Sequence, residues 1–225
     1  MQTFSHQDKK QALIDAPEIS HDLEAGLLNP LLARSEPTNT LLLIGADDLY
    51  LCEEIMSKAP CEQMTRWRTD PLYAQSPSPW HTITTSFPAL PENQAPVDVI
   101  LMSKLHAQAQ DLGQTLQQLA DIIKPQGLLI FGTLIYSETT PDFPSLHAIG
   151  DALGQHGFSH PIVERHQMTY RFSSPEKKRK ALLAIGIQEP SPATSMSLTW
   201  AIAHAWRKEL PNIVKMPTSR HQHRS

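Results

Sequence analysis

VDVILMSKLHAQAQDLGQTLQQLADIIKPQGLLIFGTL, residues 97–134, holds three elements in succession. Val97-Asp98-Val99-Ile100-Leu101-Met102 is a short, almost wholly apolar run of the kind that forms a strand buried on both faces. Beyond Asp111, the residues Leu112, Leu116, Leu119 and Ile123 recur at helical spacing. Lys124-Pro125-Gln126-Gly127 then ends the helix and turns the chain. Leu128-Leu129-Ile130-Phe131-Gly132-Thr133-Leu134 is a second buried strand. Strand, helix and strand of these lengths make a βαβ unit, which implies a parallel sheet.

The same grammar extends in both directions. Upstream, Leu41-Leu42-Leu43-Ile44-Gly45 reads as another buried strand ending at glycine. The following DDLYLCEEIMSKA predicts a helix with Leu49, Cys52, Ile55 and Met56 on its inner stripe and Asp47 and Asp48 at its positive end. Residues 60–96 are less regular, with strand-like pieces at 62–68 and 81–87 around the proline- and serine-rich YAQSPSPW. Downstream, Ser145 can cap a helix that buries Leu146, Ile149 and Leu153 and stops at Gly157. Extended segments are expected at 161–172 and 195–206, with PEKKRKALLAIGI between them as a short helix. In the last segment Met196, Leu198, Trp200, Ile202, His204 and Trp206 share one face by period-two alternation. The expected class is α/β: a Rossmann-like, mostly parallel sheet with an antiparallel last strand and helices on both faces. Residues 1–38 read as a polar lead-in with one short helix, 39–210 as a single domain, and 211–225 as a tail without apolar pattern, expected to be disordered.

Composition narrows the classes of function. The 225 residues carry 19 Lys+Arg against 23 Asp+Glu, a net charge of −4 that gives no electrostatic reason to bind nucleic acid. No apolar run approaches the length of a membrane span, and the polar start MQTFSHQDKKQ has no signal-peptide pattern. Two cysteines, Cys52 and Cys61, are too few for a disulfide framework or a structural zinc site. A cytoplasmic protein without a membrane partner is the expectation. The chain has only 9 glycines, and none between Gly45 and Gly113.

Residues 97–134 resemble the fourth strand, following helix and fifth strand of class I S-adenosylmethionine-dependent methyltransferases. That family's fourth strand reads roughly F-D-x-V, here Val97-Asp98-Val99-Ile100. Its helix-to-strand turn is usually L-[KR]-P-G-G, here Ile123-Lys124-Pro125-Gln126-Gly127. The C-terminal third is similar to the malonyl-acyl-carrier-protein O-methyltransferases of biotin synthesis. Leu146-His147, Gly150-Asp151-Ala152-Leu153, Gly157-Phe158, Pro161-Ile162-Val163 and His204-Ala205-Trp206 match that branch. The resemblance covers about residues 39–208 and is weakest at 46–96. It implies S-adenosylmethionine as cofactor and an acyl carrier protein as partner.

The chain departs from the family where the cofactor would sit. The family's loop after strand one reads roughly [DE]-x-G-x-G-x-G, so that bare backbone can approach the ligand. Here it reads Leu43-Ile44-Gly45-Ala46-Asp47-Asp48, with Leu43 in place of the acid and only Gly45 kept. The acid that holds the ribose, expected near the end of strand two, could be Asp70 only if that strand slips by two or three residues. The adenine-binding Asp aligns with Ser86. Gly45, Asp47, Asp70, Ser86 and Ser103 are thus the cofactor contacts that the resemblance implies, three of them weakened together. No catalytic residue can be named. None is required for methyl transfer to a carboxylate, which is already ionised at neutral pH and needs mainly orientation.

Two readings follow: a working carboxyl O-methyltransferase, or a relative that kept the sheet and lost the cofactor, acting through a protein partner or as a homo-oligomer. Coordinated loss at distant positions favours the second. The histidines 147, 156, 160 and 166 read as solvent-facing or satisfied rather than metal-binding, since 156 and 160 straddle a helix end. Lys177-Lys178-Arg179-Lys180 reads as a solvated face, with docking of an acidic carrier as its functional alternative.

Overall fold

A computed structural model describes residues 26–45, 50–59, 61–68, 81–84, 95–103, 111–135, 143–184, 187 and 193–209. Its strands are β1 (Thr40–Ile44), β2 (Gln63–Arg68), β3 (His81–Thr84), β4 (Val97–Met102), β5 (Ile123–Leu134), β6 (Phe158–Arg171) and β7 (Ser195–Arg207). Helix α1 covers 26–32 of the described residues. It is followed by α2 (Tyr50–Lys58), α3 (Leu112–Ile122), α4 (Leu146–Gln155) and α5 (Pro175–Ala184).

The strands form one 7-stranded sheet in the order β3-β2-β1-β4-β5-β7-β6. β1 to β5 pair in parallel, and β7 runs antiparallel to both β5 and β6. This is the mostly parallel α/β sheet expected from the sequence. The C-terminal ends of β1, β2, β4 and β5 therefore lie along one edge, called upper here. The lower edge carries the starts of β1, β4, β5 and β6 and the end of β7.

Both faces are covered, which explains the runs of unbroken hydrophobicity in β1, β4 and β5. Leu41 and Leu43 face a cluster with Leu27, Leu28 and Leu31 of α1, Leu51, Cys52 and Ile55 of α2, and Ala181 and Leu182 of α5. Leu42 and Ile44 face the opposite cluster, built on Leu116 and Leu119 of α3 and Ile149 and Leu153 of α4. Each such leucine, taken from water, contributes about 1.5–3 kcal/mol. β7 serves both layers: Met196, Leu198, Trp200 and Ile202 point one way, Ala201, Ala203 and Ala205 the other. The alternating face read from sequence is present, and the alanines behind it are buried too.

Helix starts follow the cap chemistry. Gln114 N donates to Asp111 Oδ1 at 2.8 Å in α3, and Ala148 N to Ser145 Oγ at 3.1 Å in α4. Three details correct the sequence reading. Met56 of α2 is 38% exposed and Leu51 takes its place in the core, because the helix presents its stripe one residue round. Lys178 of the basic run is 2% exposed, so that run is not uniformly solvated. The Lys124-Pro125-Gln126-Gly127 turn does not separate helix from strand: β5 already pairs at Ile123 and holds the turn as a bulge. Val97 is level with Ile123, yet Val99 is level with Leu128.

Asp98 sits opposite that bulge. Its Oδ1 accepts from Lys124 Nζ at 2.7 Å, while Oδ2 accepts from Thr40 N at 2.8 Å, Thr40 Oγ1 at 3.0 Å and Asn39 N at 3.1 Å. Asp98 N donates in turn to Thr40 Oγ1 at 3.0 Å. The motif aspartate is thus a clasp joining the starts of β1, β4 and β5 at the lower edge. Gly127 completes the joint by close approach, since a Cβ there would lie 2.8 Å from Lys124 O and 2.9 Å from Asp98 O.

Candidate functional site

The upper edge, where a crevice opens beyond strand ends in sheets of this topology, brings Gly45 and Ser103 together. Gly45 has φ 70, a left-handed conformation that costs a side-chain-bearing residue about 1–2 kcal/mol. Its N–H donates to Trp67 O at 3.2 Å, extending the β1–β2 ladder by one step. On the other side Ser103 N donates to Ile44 O at 3.1 Å, and Ser103 Oγ donates to Gly45 O at 2.8 Å. Ser103 is fully buried. Its hydroxyl proton is committed to the Gly45 carbonyl, so the side chain holds the turn in place. Asp47, Asp70 and Ser86 lie outside the described residues.

Two further residues define this edge. Leu43, standing where the family carries an acid, is 1% exposed and packed in the apolar cluster with Leu41, Met64 and Leu101. At β2, Ile44 is level with Trp67, so Arg68, the last residue of the strand, is the neighbour of Gly45. Asp70 follows two positions beyond the strand end. The described part of β2 thus ends on a basic residue. The preceding arginine, Arg66, is 1% exposed beside Leu43. Nothing in the local pattern marked it as buried, because only the pairing of β2 between β1 and β3 encloses it.

The α5 cations reach the same edge, since α5 follows the end of β6 and precedes the start of β7. Lys177 and Arg179 are exposed, with Arg179 Nη2 3.0 Å from Glu176 Oε1. That bond, opposed by slight desolvation, leaves the Glu176 carboxyl below its ordinary pKa. Among the described residues no three His, Cys, Asp or Glu side chains gather as a metal site.

Strand order 3-2-1-4-5-7-6 with an antiparallel β7, and a left-handed glycine closing β1, decide the fold. It is that of the class I methyltransferases. The plantazolicin methyltransferase BpumL, solved with S-adenosylhomocysteine, superposes with a TM-score of 0.60 at 11% identity, over 90% of each chain. A chain in complex with the Haloferax volcanii Trm112 methyltransferase activator superposes at 0.61 with 14% identity, over 92% of this chain and 100% of that one. In sequence, this methyltransferase-fold chain resembles the malonyl-carrier branch. It is 30% identical over 139 residues to malonyl-[acyl-carrier protein] O-methyltransferase 1 of Coxiella burnetii, covering 56% of this chain and 49% of the relative. To the malonyl-[acyl-carrier protein] O-methyltransferase of a Methylovorus species it is 30% identical over 107 residues, covering 40% of this chain and 36% of that protein. The chain thus spans half or less of the curated relatives it matches. No family model matches it. Among the described residues, no helix is long and apolar enough to cross a membrane.

Proposed function

We propose that this methyltransferase-fold protein binds S-adenosylmethionine weakly or not at all and acts in the cytoplasm as a non-catalytic binding partner. The observation that carries the reading is the state of the β1 turn. In the described part of the motif that would seat the cofactor, Gly45 keeps its left-handed backbone, while Leu43 stands in place of the acid and lies in the apolar core. A sulfonium nucleoside is itself cationic, and β2 ends on Arg68, one step beyond the Ile44–Trp67 pair, rather than on an acid. The Ser103 proton is spent on Gly45 O. Each feature removes a favourable contact, and lost charge-assisted contacts weaken binding about tenfold or more apiece. The partner is a protein, and the H. volcanii activator complex gives a precedent for assembly on this fold.

Calorimetric titration of the intact chain with S-adenosylmethionine tests this directly. No heat at millimolar cofactor is the expected result, and micromolar binding overturns the reading. A tagged chain should also retain a stoichiometric partner from native lysate.

A second reading rests on the sequence similarity to the two carrier-protein methyltransferases. In it the chain is an active carboxyl O-methyltransferase that esterifies an acyl-carrier-protein thioester in biotin synthesis, with the exposed cations of α5 meeting the acidic carrier. Transfer of label from methyl-labelled cofactor to malonyl carrier protein would establish it.

A further inference from the structure

The lower edge, remote from Gly45, holds a cavity of about 650 Å³, within the size range of small-molecule sites. Its walls come from four places in the chain: the segment after α1 (Ala33–Glu36), the β5 bulge at Gln126, the start of β6 (Ser159, His160), and the end of β7 (Trp206–Glu209). Two observations mark it as built for a ligand.

The first is strain. Among the described residues, the non-glycine residues with positive φ are Gln126, at 62, and His160, at 50. Both line this cavity. Gln126 occupies a position where the turn of the resembling family carries glycine, the residue that takes this conformation without cost. A side chain has been kept at each site against about 1–2 kcal/mol of backbone strain, and strain of this kind gathers where side chains are needed in fixed directions.

The second is charge. Arg207 Nη1 donates to Gly157 O at 2.9 Å and Lys208 Nζ to Gly154 O at 3.0 Å. These bonds close the carbonyl end of α4, yet they use one donor from each cation and neutralise neither. A guanidinium has five N–H groups and an ammonium three. Of the wall's two acids, Glu36 is paired with Arg34 at 3.3 Å, while Glu209 accepts from the neutral Gln126 amide and keeps its charge, so Arg34, Arg207 and Lys208 face two carboxylates and leave a positive balance. Arg34, whose side chain is 10% exposed, also donates to Asp98 O and stiffens this wall. Trp206 supplies a flat apolar surface, held edge-on by His204 with ring centroids 5.5 Å apart.

We infer that this lower-edge cavity is a second ligand site, taking a small oxyanion, phosphate or carboxylate, carried on a flat or apolar body. Arg207, Lys208 and His160 face the anion, and Trp206 faces the body. The site is independent of whether a nucleoside binds at the upper edge.

The test is titration of the intact chain with phenyl phosphate, benzoate and inorganic phosphate, followed by calorimetry and by the Trp206 indole N–H resonance. Phenyl phosphate or benzoate should bind in the millimolar range or tighter and shift that resonance. The preferred probe tells phosphate from carboxylate, and inorganic phosphate should bind less well than phenyl phosphate. Lys208→Gln should weaken binding about tenfold, the worth of one charge-assisted hydrogen bond. The double variant Gln126→Gly with His160→Gly should unfold at a higher temperature and yet lose binding. The inference is overturned if no probe binds the unmodified chain, or if the double variant binds as the unmodified chain does.

Discussion

Lys124 and Asp98 meet at 2.7 Å across the bulge in β5, joining the residue that starts the turn to the one strand position the turn leaves unpaired. The two partners are not equal. Lys124 is 42% exposed on its side chain and brings one bond, whereas Asp98 is 16% exposed and collects four donors. Asp98→Ala should therefore cost about 2–4 kcal/mol, because it strands the Thr40 and Asn39 donors as well as the ammonium. Lys124→Ala should cost about 1 kcal/mol or less, as exposed pairs do. Urea unfolding of the two variants measures both, and equal losses would contradict this division.

Besides the exposed Glu176, two of the described groups have lowered pKa values and tie stability to acid. Burial pushes the Asp98 carboxyl up, but the Lys124 bond, the Thr40 bonds and the Lys124 charge together hold it below the ordinary value. A depressed carboxylate stabilises the fold fully above its unfolded pKa, and that contribution goes as pH falls through the folded one. His204 is also depressed: burial lowers it, partly opposed by the charge of Glu164. Its folded form therefore favours the neutral ring, so stability is full above the unfolded pKa near 6.5 and declines as pH drops through the lower folded value. Melting temperature should fall in two stages, a first below the histidine range and a second below the carboxylate range. His204→Gln should abolish the first and keep the second.

The parts of the fold legible in sequence are those whose burial is symmetric. β1, β4 and β5 lie between two helix layers, so residues 41–44, 99–102 and 128–131 are unbroken apolar runs that announce themselves. Edge positions were harder. β6 buries little beyond its ends, and its start at Phe158 lay ahead of the expected 161 because Gly157, at φ 85, turns straight into the strand. The site residues divide in the same way. Gly45 and Ser103, contacts that the resemblance implies, stand at strand ends that the pattern locates. Arg66, the Asp98 clasp and the cavity at Gln126 and His160 each depend on pairing between segments far apart in the chain, which no local pattern carries. The glycine missing at Gln126 was the one available signal for the lower cavity.

Glycine replacements separate close packing from helix propensity. At Gly127 an added Cβ meets main-chain oxygens at 2.8 and 2.9 Å, which cannot move without opening the Asp98 joint. Gly127→Ala should therefore destabilise by about 1–3 kcal/mol. At Gly150, inside α4, nothing lies within 4 Å of the added atom. Gly150→Ala should stabilise by about 0.5–1 kcal/mol through helix propensity. Thermal unfolding of the pair gives shifts of opposite sign if this packing is right.

Ser103 distinguishes a turn-holding role from a cofactor-binding one. Its hydroxyl is fully buried and donates to Gly45 O at 2.8 Å. Ser103→Ala removes that donor and leaves a buried carbonyl with one partner fewer, which costs about 1–2 kcal/mol. Ser103→Thr keeps the donor and should recover part of the loss, while its extra methyl crowds the strand end. If the hydroxyl only holds the turn, both variants should leave the calorimetric response to S-adenosylmethionine at the level of the unmodified chain, and stability alone should change. A binding heat present in the unmodified chain and absent from Ser103→Ala at matched folded fraction would instead place this serine against the nucleoside, and with it the whole upper edge back among working cofactor sites.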